Sequence, residues 1–377
     1  MMEVLLGSDK TEELYKLCKG KRCALLTSAT GVDRFGVPTY IKLHSWGCLS
    51  VLFSPEHGIH SVLQDGGWSG EYIDRETGVP VFDLKSNGNP NIDRALSQCD
   101  LLLYDIQDVG ARFYTYVYCL TYLMKECAER KIPVYVLDRP NPISCSLAKL
   151  EGPILDESRF SSSVGRYAIP TRYSLTVGEF SRYVNEIKNI NCDLTVITCE
   201  NLTRDLYWDE LGLIWINPSP NIPSVDCAIN YIGTCLIEAT NISEGRGTTR
   251  PFDLVGAPFI DSKQLCDEMN GQKLDGVLFS RSFFTPMFGK WQGEACEGIQ
   301  INITDRASYQ PYLTGLHLLR ALSKYPELTV RRESLALRHG DDLLGDCTGF
   351  DPLAVLDANS EGLRRFAQDV QRFLIYK

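Results

Sequence analysis

No apolar run in these 377 residues is long enough to cross a bilayer. The N-terminal stretch MMEVLLGSDKTEELYKL carries only a short apolar patch before charges resume, so neither a span nor a signal peptide is visible. The expectation that follows is a cytoplasmic protein without membrane insertion. No GxGxxG or Walker loop follows the first apolar strand, and nothing points to a nucleotide cofactor. No GxSxG elbow is present, and none of the fourteen cysteines forms a CxxC pair or sits in a nucleophile motif. That leaves serine or thiol esterases and amidases, metal clusters and a disulfide scaffold without support. The cysteines read as small apolar residues of a reducing compartment. Positive charge is in deficit too: 38 Lys and Arg against 48 Asp and Glu give a formal charge of −10. Such a field repels nucleic acids and anionic membranes.

What is present is enough apolar residue, 44% of the chain, for a large core and, by length, two domains. Continuously apolar runs at 22–27, 49–54, 101–106 and 134–138 read as strands buried on both faces. Between the last two, Tyr116, Leu120, Leu123, Met124, Cys127 and Ala128 share one face of a helix, which makes a βαβ unit. The expected class is α/β, a mostly parallel sheet followed by a smaller α+β domain. A helix is expected at 176–188 and a strand at 194–198. The Pro-rich passage NPSPNIPS at 217–224 reads as a hinge, dividing the chain into 1–225 and 226–377. Beyond it come a Gly-rich loop at 243–252, a strand at 298–304 and helices near 311–323 and 361–374.

In an open parallel sheet the carboxyl edge is where ligands bind. Four strand ends here carry polar clusters: TSATG at 27–31, SPEHG at 54–58, DIQDVGARFYTY at 105–116 and DRPNP at 138–142. Glu56 follows an apolar strand directly, a setting in which partial desolvation turns a carboxyl group into a general acid. His57 and His60, three residues apart, lack a third ligand, so no metal is expected, and His57 is better placed to orient Glu56 or a substrate. Asp105, Asp108 and Arg112 flank the Gly110 turn, and Asp138 and Arg139 end the next strand. For Asp105 and Asp138, catalytic or substrate roles and structural pairing are equally consistent with the pattern, because buried charges need partners either way. Arg112 and Arg139 have the fork geometry to hold a carboxylate. Phe113, Tyr114 and Tyr116 offer aromatic faces that suit sugar rings, and equally suit a core. The loop with Glu244, Arg246, Thr248, Thr249 and Arg250 is too polar and Gly-punctuated for a mere connection.

The stretches SPEHGI, DIQDVGARFYTY, LDRPNPI, EGPILD, PSPNIPS and NISEGRGTTRPF, in this order, carry a resemblance. They are similar to the signature of the NamZ-like exo-β-N-acetylmuramidase family, once known only as a domain of unknown function. The likeness runs from about Leu25 to the C-terminal region. It implies a Rossmann-like N-terminal domain, a smaller C-terminal domain and, between them, a cleft that releases N-acetylmuramic acid from non-reducing ends. Its partners would be peptidoglycan-derived saccharides or muropeptides, its role bacterial cell-wall recycling, and no cofactor is implied. The family's PEHG glutamate falls on Glu56 and its loop glutamate on Glu244. With Asp105, Glu244 is a candidate for the second carboxylate of a glycosidase pair. Ser28, His57, Gln107, Arg112, Tyr114, Arg139, Asn141, Arg246 and Thr248 are held as substrate contacts. One departure is Ser28, which stands in TSATG where the family usually shows the Asn of TNxTG, and which bears on specificity. The rival readings are a silent sugar-binding protein and another cell-wall hydrolase, such as an esterase or amidase.

Overall fold

The computed structural model describes residues 3–64, 66–84 and 89–377. The first half forms a seven-stranded sheet in the order β3-β4-β2-β1-β5-β6-β7. Its strands are β1 (Cys23–Thr27), β2 (Leu49–Ser54), β3 (Tyr72–Ile73), β4 (Pro80–Asp83), β5 (Leu101–Asp105), β6 (Val134–Leu137) and β7 (Leu194–Ile197). All pairs are parallel except β3 with β4. Every residue of β1 and β5 is buried, the signature of strands covered on both faces. Thr27 pairs with Asp105 at the end of the β1–β5 ladder, so the loops after the central strands emerge along one edge.

The expected strands agree with these to within a residue or two. The expected helix between β5 and β6 is Tyr116–Arg130, stopped by Lys131 in a left-handed conformation. The expected helix at 176–188 is Val177–Ile187. Thr176 opens it by accepting from the Glu179 amide, and Glu179 answers by accepting from the Thr176 amide. The helix expected at 361–374 instead spans Pro352–Asp369, because Asp351 caps the Leu353 amide and proline sits in the first turn.

A smaller antiparallel sheet, β8-β10-β9, follows in the second half: β8 (Leu254–Ala257), β9 (Val277–Phe284) and β10 (Cys296–Ile303). The fold is α/β with this smaller second domain. The Val225–Thr234 helix packs so closely on the Pro311–Leu322 helix that a side chain at Gly233 would lie 2.1 Å from the Pro311 carbonyl oxygen. One hydrophobic cluster runs from Ala24 to Phe373, so the two sheets share a core. Among the described residues no helix is long and apolar enough to cross a membrane.

Candidate active site

The chain leaves β2 through Ser54 and Pro55 and turns sharply at His57 (φ 72°) and Gly58 (φ 84°), both left-handed. A residue without glycine's freedom occupies this conformation only when its surroundings hold it. Here the His57 amide donates to the Gly67 carbonyl at 3.3 Å, its carbonyl accepts from the Leu63 amide at 3.2 Å, and its Nδ1 lies 2.7 Å from the Leu63 carbonyl oxygen. The turn aims Glu56 across the chain. Its Oε1 accepts from the Gly66 amide at 2.8 Å and its Oε2 from Thr115 Oγ1 at 3.0 Å. Thr115 directly precedes the Tyr116–Arg130 helix, so two sheet-edge loops hold one carboxyl group between them.

Glu56 lies on the wall of a cavity of about 320 Å³. Around it stand His57, Gly66 and Trp68 from the loop after β2, then Phe113, Tyr114, Thr115, Tyr118 and Tyr122 from the next strand end and its helix. Arg166, Ser219, Tyr231, Glu238, Arg246, Phe252 and Arg338 close the other sides. Tyr114, Tyr231 and Phe252 pack edge to face, with Tyr231–Phe252 centroids 4.6 Å apart. Cys119 and Cys235 also reach the wall, but burial pushes both thiols up, Cys119 to about 12, which leaves no thiolate nucleophile there.

Charge is arranged in a relay. Glu238 Oε1 accepts from Arg246 at 2.6 Å, and its Oε2 accepts from Arg338 at 2.6 and 3.1 Å. Burial would raise the Glu238 carboxyl, but the two guanidinium groups hold it below the usual range and keep it ionised. Behind this, Glu244 Oε1 is 3.2 Å from Arg246 Nε, and its Oε2 accepts from Lys290 at 2.8 Å. Burial lowers the Lys290 ammonium, against the opposing pull of Glu244.

Of the residues singled out in the sequence, Glu56, His57, Phe113, Tyr114 and Arg246 line the cavity. Glu244 stands one ion pair behind it. Asp105, Ser28, Gln107 and Arg139 gather elsewhere on the sheet edge. Asp105 Oδ1 accepts from Arg139 Nε at 2.7 Å and its Oδ2 from Thr39 at 2.6 Å. Ser28 pairs with Thr30 at 2.8 Å, and the Gln107 amide nitrogen donates to the Asp108 and Pro140 carbonyls. Beside Gln107 and Arg139 is a space of about 10 Å³, room for roughly one water. Neither arginine expected to hold a substrate carboxylate is on the cavity wall. Arg139 is consumed by Asp105. Arg112, fully buried, donates to the carbonyls of Pro153, Ile169, Arg338 and His339. Asn141 donates to the Leu175 carbonyl, and Thr248 closes its own turn on the Gly245 carbonyl.

Sequence reasoning missed Trp68, Thr115, Arg166, Tyr231, Glu238 and Arg338. Thr115 lies within the DIQDVGARFYTY string, and Glu238 precedes Arg246 by eight residues; Tyr231 and Arg338 sit in plain amphipathic patterns with no motif to mark them.

Two family models match the chain: one described as exo-beta-N-acetylmuramidase NamZ, N-terminal, over residues 23–226, and its C-terminal counterpart over residues 229–376. The peptidoglycan beta-N-acetylmuramidase NamZ of Bacillus subtilis (strain 168) is 39% identical over 385 aligned residues, covering 99% of this chain and 92% of that protein. Two solved structures from Bacteroides fragilis, both DUF1343 family proteins, share the whole fold. One has 27% identity and a TM-score of 0.89, covering 100% of both chains. The other has 28% identity and a TM-score of 0.80, covering 100% of this chain and 99% of that one.

Proposed function

Because the chain belongs to the NamZ exo-β-N-acetylmuramidase family across both of its domains, we propose that it is a glycoside hydrolase that removes N-acetylmuramic acid from non-reducing ends of peptidoglycan fragments. The observation that carries this reading at the level of residues is Glu56, a carboxyl group fixed by two donors on the wall of a 320 Å³ cavity. That volume is at the small end of the range for ligand sites, about 300–1,000 Å³, which suits one terminal sugar rather than a threaded chain. Glu56 is the proposed acid, protonating the departing glycosidic oxygen while positive charge develops on the sugar ring. Three guanidinium groups, of Arg166, Arg246 and Arg338, line the cavity against the two carboxylates of Glu56 and Glu238. Guanidinium forks are the side chains that recognise a carboxylate, and the lactyl carboxylate is what distinguishes muramic acid from glucosamine.

The remaining assignments follow from what each group touches. Glu238, held as an anion, is the other carboxylate on the wall and the better candidate for the second catalytic group than Glu244, which buttresses Arg246, or Asp105, which pairs with Arg139. Residues 1–225 form the catalytic domain of this proposal and 226–377 the part that closes the site, a division supported by the contribution of Tyr231, Glu238, Arg246, Phe252 and Arg338 to the far wall. Fourteen unpaired, buried thiols suit a reducing, cytoplasmic setting for the enzyme.

Para-nitrophenyl β-N-acetylmuramide and the matching β-N-acetylglucosaminide, offered to wild type and Glu56→Gln, test the reading. Release of chromophore from the muramide alone, lost in the variant, is expected. Undiminished turnover by Glu56→Gln would remove Glu56 from the mechanism, and muramide binding without turnover by wild type would favour a silent binder.

A further inference from the structure

The chain has five tryptophans, and four are spent on the fold. Trp46 meets Tyr15 edge-on at 5.5 Å. The indole N–H of Trp208 donates to the Ile214 carbonyl at 3.1 Å, that of Trp215 to Ile222 at 3.3 Å, and that of Trp291 to Asn241 at 2.6 Å. Trp68 is the exception. Among the described residues its indole has no hydrogen-bonding or ring partner, yet it is half-buried and lines the cavity beside Glu56. A large flat side chain with a polar handle ordinarily finds a partner when it leaves water. An unspent one at a cavity wall has its partner missing from the protein itself.

The backbone around Trp68 is tied down on both sides. Gly66 (φ 72°) donates its amide to Glu56, Gly67 bonds to Gln64 and His57, and Gly70 (φ 69°) donates to Asp83 Oδ2 at 3.0 Å. The two left-handed glycines let the chain turn tightly before and after the indole. Trp68 is thus presented by a fixed loop, two residues from the amide that holds the acid. It also stands at the mouth: Gly66 and Ser163 on the same wall are exposed, whereas Tyr114, Tyr231, Cys235 and Phe252 are at most 7% exposed.

We propose that Trp68 is a stacking platform for the sugar on the leaving side of the bond that Glu56 protonates, an inference that rests on the muramidase reading. The terminal muramic acid fills the deep end. The next ring passes the acid and emerges at the mouth, where its C–H face lies on the indole. Binding energy gained there positions the glycosidic oxygen against Glu56.

Steady-state kinetics of the full chain on the disaccharide N-acetylmuramyl-β-1,4-N-acetylglucosamine and on methyl β-N-acetylmuramide, which has no leaving ring, test this. In Trp68→Ala, kcat/KM for the disaccharide should fall about 10-fold more than for the methyl glycoside, chiefly through KM, a typical cost of truncating a contact tryptophan. Trp68→Phe should recover most of that difference. In a Glu56→Gln background the disaccharide should change tryptophan fluorescence, and Trp68→Phe should abolish the change. Equal losses on both substrates, no loss on either, or a fluorescence change that survives Trp68→Phe would overturn the platform while leaving the muramidase reading intact. A wild-type chain that cleaves neither substrate would sink the muramidase reading itself.

Discussion

At the ends of β1, β5 and β6, Ser28, Asp105, Gln107 and Arg139 direct their polar atoms mostly at one another and at backbone, beside about 10 Å³ of space. At the end of β2 and the start of the following helix layer, Glu56, Thr115 and Tyr114 face about 320 Å³. Both regions are polar loops after buried parallel strands, and both hold carboxylates and arginines nearby. They differ in the space that they border. In the first, nearly every charge is matched inside the protein, so the cluster is a fastening between strands. In the second, Glu56 and the aromatic faces of Tyr114, Tyr231 and Phe252 border a space that a ligand can fill. Their electrostatics differ as well. At the fastened edge, burial pushes the Asp108 and Asp138 carboxyls up to about 6 each, whereas in the cavity Arg246 and Arg338 hold Glu238 below the usual range.

If the comparison is right, substitutions in the two regions separate into loss of turnover and loss of stability. The largest effect is expected from Glu56→Gln, which should cut kcat on a muramide by about 10²–10⁴-fold, the range for a general acid, with an unchanged melting temperature. Asp105→Ala should leave Arg139 buried without its counter-ion and cost about 3–5 kcal/mol of stability in urea unfolding. A variant that unfolds normally yet has lost turnover as completely as Glu56→Gln would erase the distinction between the two regions.

A third prediction concerns pH. Burial pushes the Asp108 carboxyl up to about 6 in the folded chain, whereas an aspartate in an unfolded chain titrates at about 3.9. The folded state therefore binds the extra proton between those values. Its stabilising contribution is complete below about pH 4 and is lost as the pH rises through about 6. The stability advantage of wild type over Asp108→Asn should accordingly shrink between pH 4 and pH 7 in urea midpoints, and a constant difference would contradict the assignment. The smallest effect is expected from Thr115→Val. It removes one of the two donors to Glu56, worth about 0.5–1.5 kcal/mol, and should lower kcat by roughly 2- to 12-fold.

Much of the fold was legible because its signals are local. Four buried strands and the helix face from Tyr116 to Cys127 follow from apolar runs and their period, and the Thr176–Glu179 capping box fixes the start of a helix within four residues. β3, β4, β8 and β9 went unread. β3 has two residues, and β9 alternates with much of one face exposed, so neither has the continuous apolar run that marked the others. Within the site, Glu56 and Arg246 were legible because they lie in unusual polar strings. Glu238 and Arg338 were not, because their meaning is in each other: a carboxylate and a guanidinium a hundred positions apart meet only when the second half of the chain folds back on itself.

The sequence by itself determined the parallel sheet, the edge on which polar loops collect and the family likeness, since hydrophobic periodicity and motif strings are properties of neighbouring residues. Only the tertiary structure decided which of those loops borders a cavity and which is consumed in fastening. Arg112 illustrates the reason. Its side chain reaches the backbone of Arg338, 226 positions away, so whether it greets a substrate or anchors a helix depends on long-range packing that no local pattern encodes.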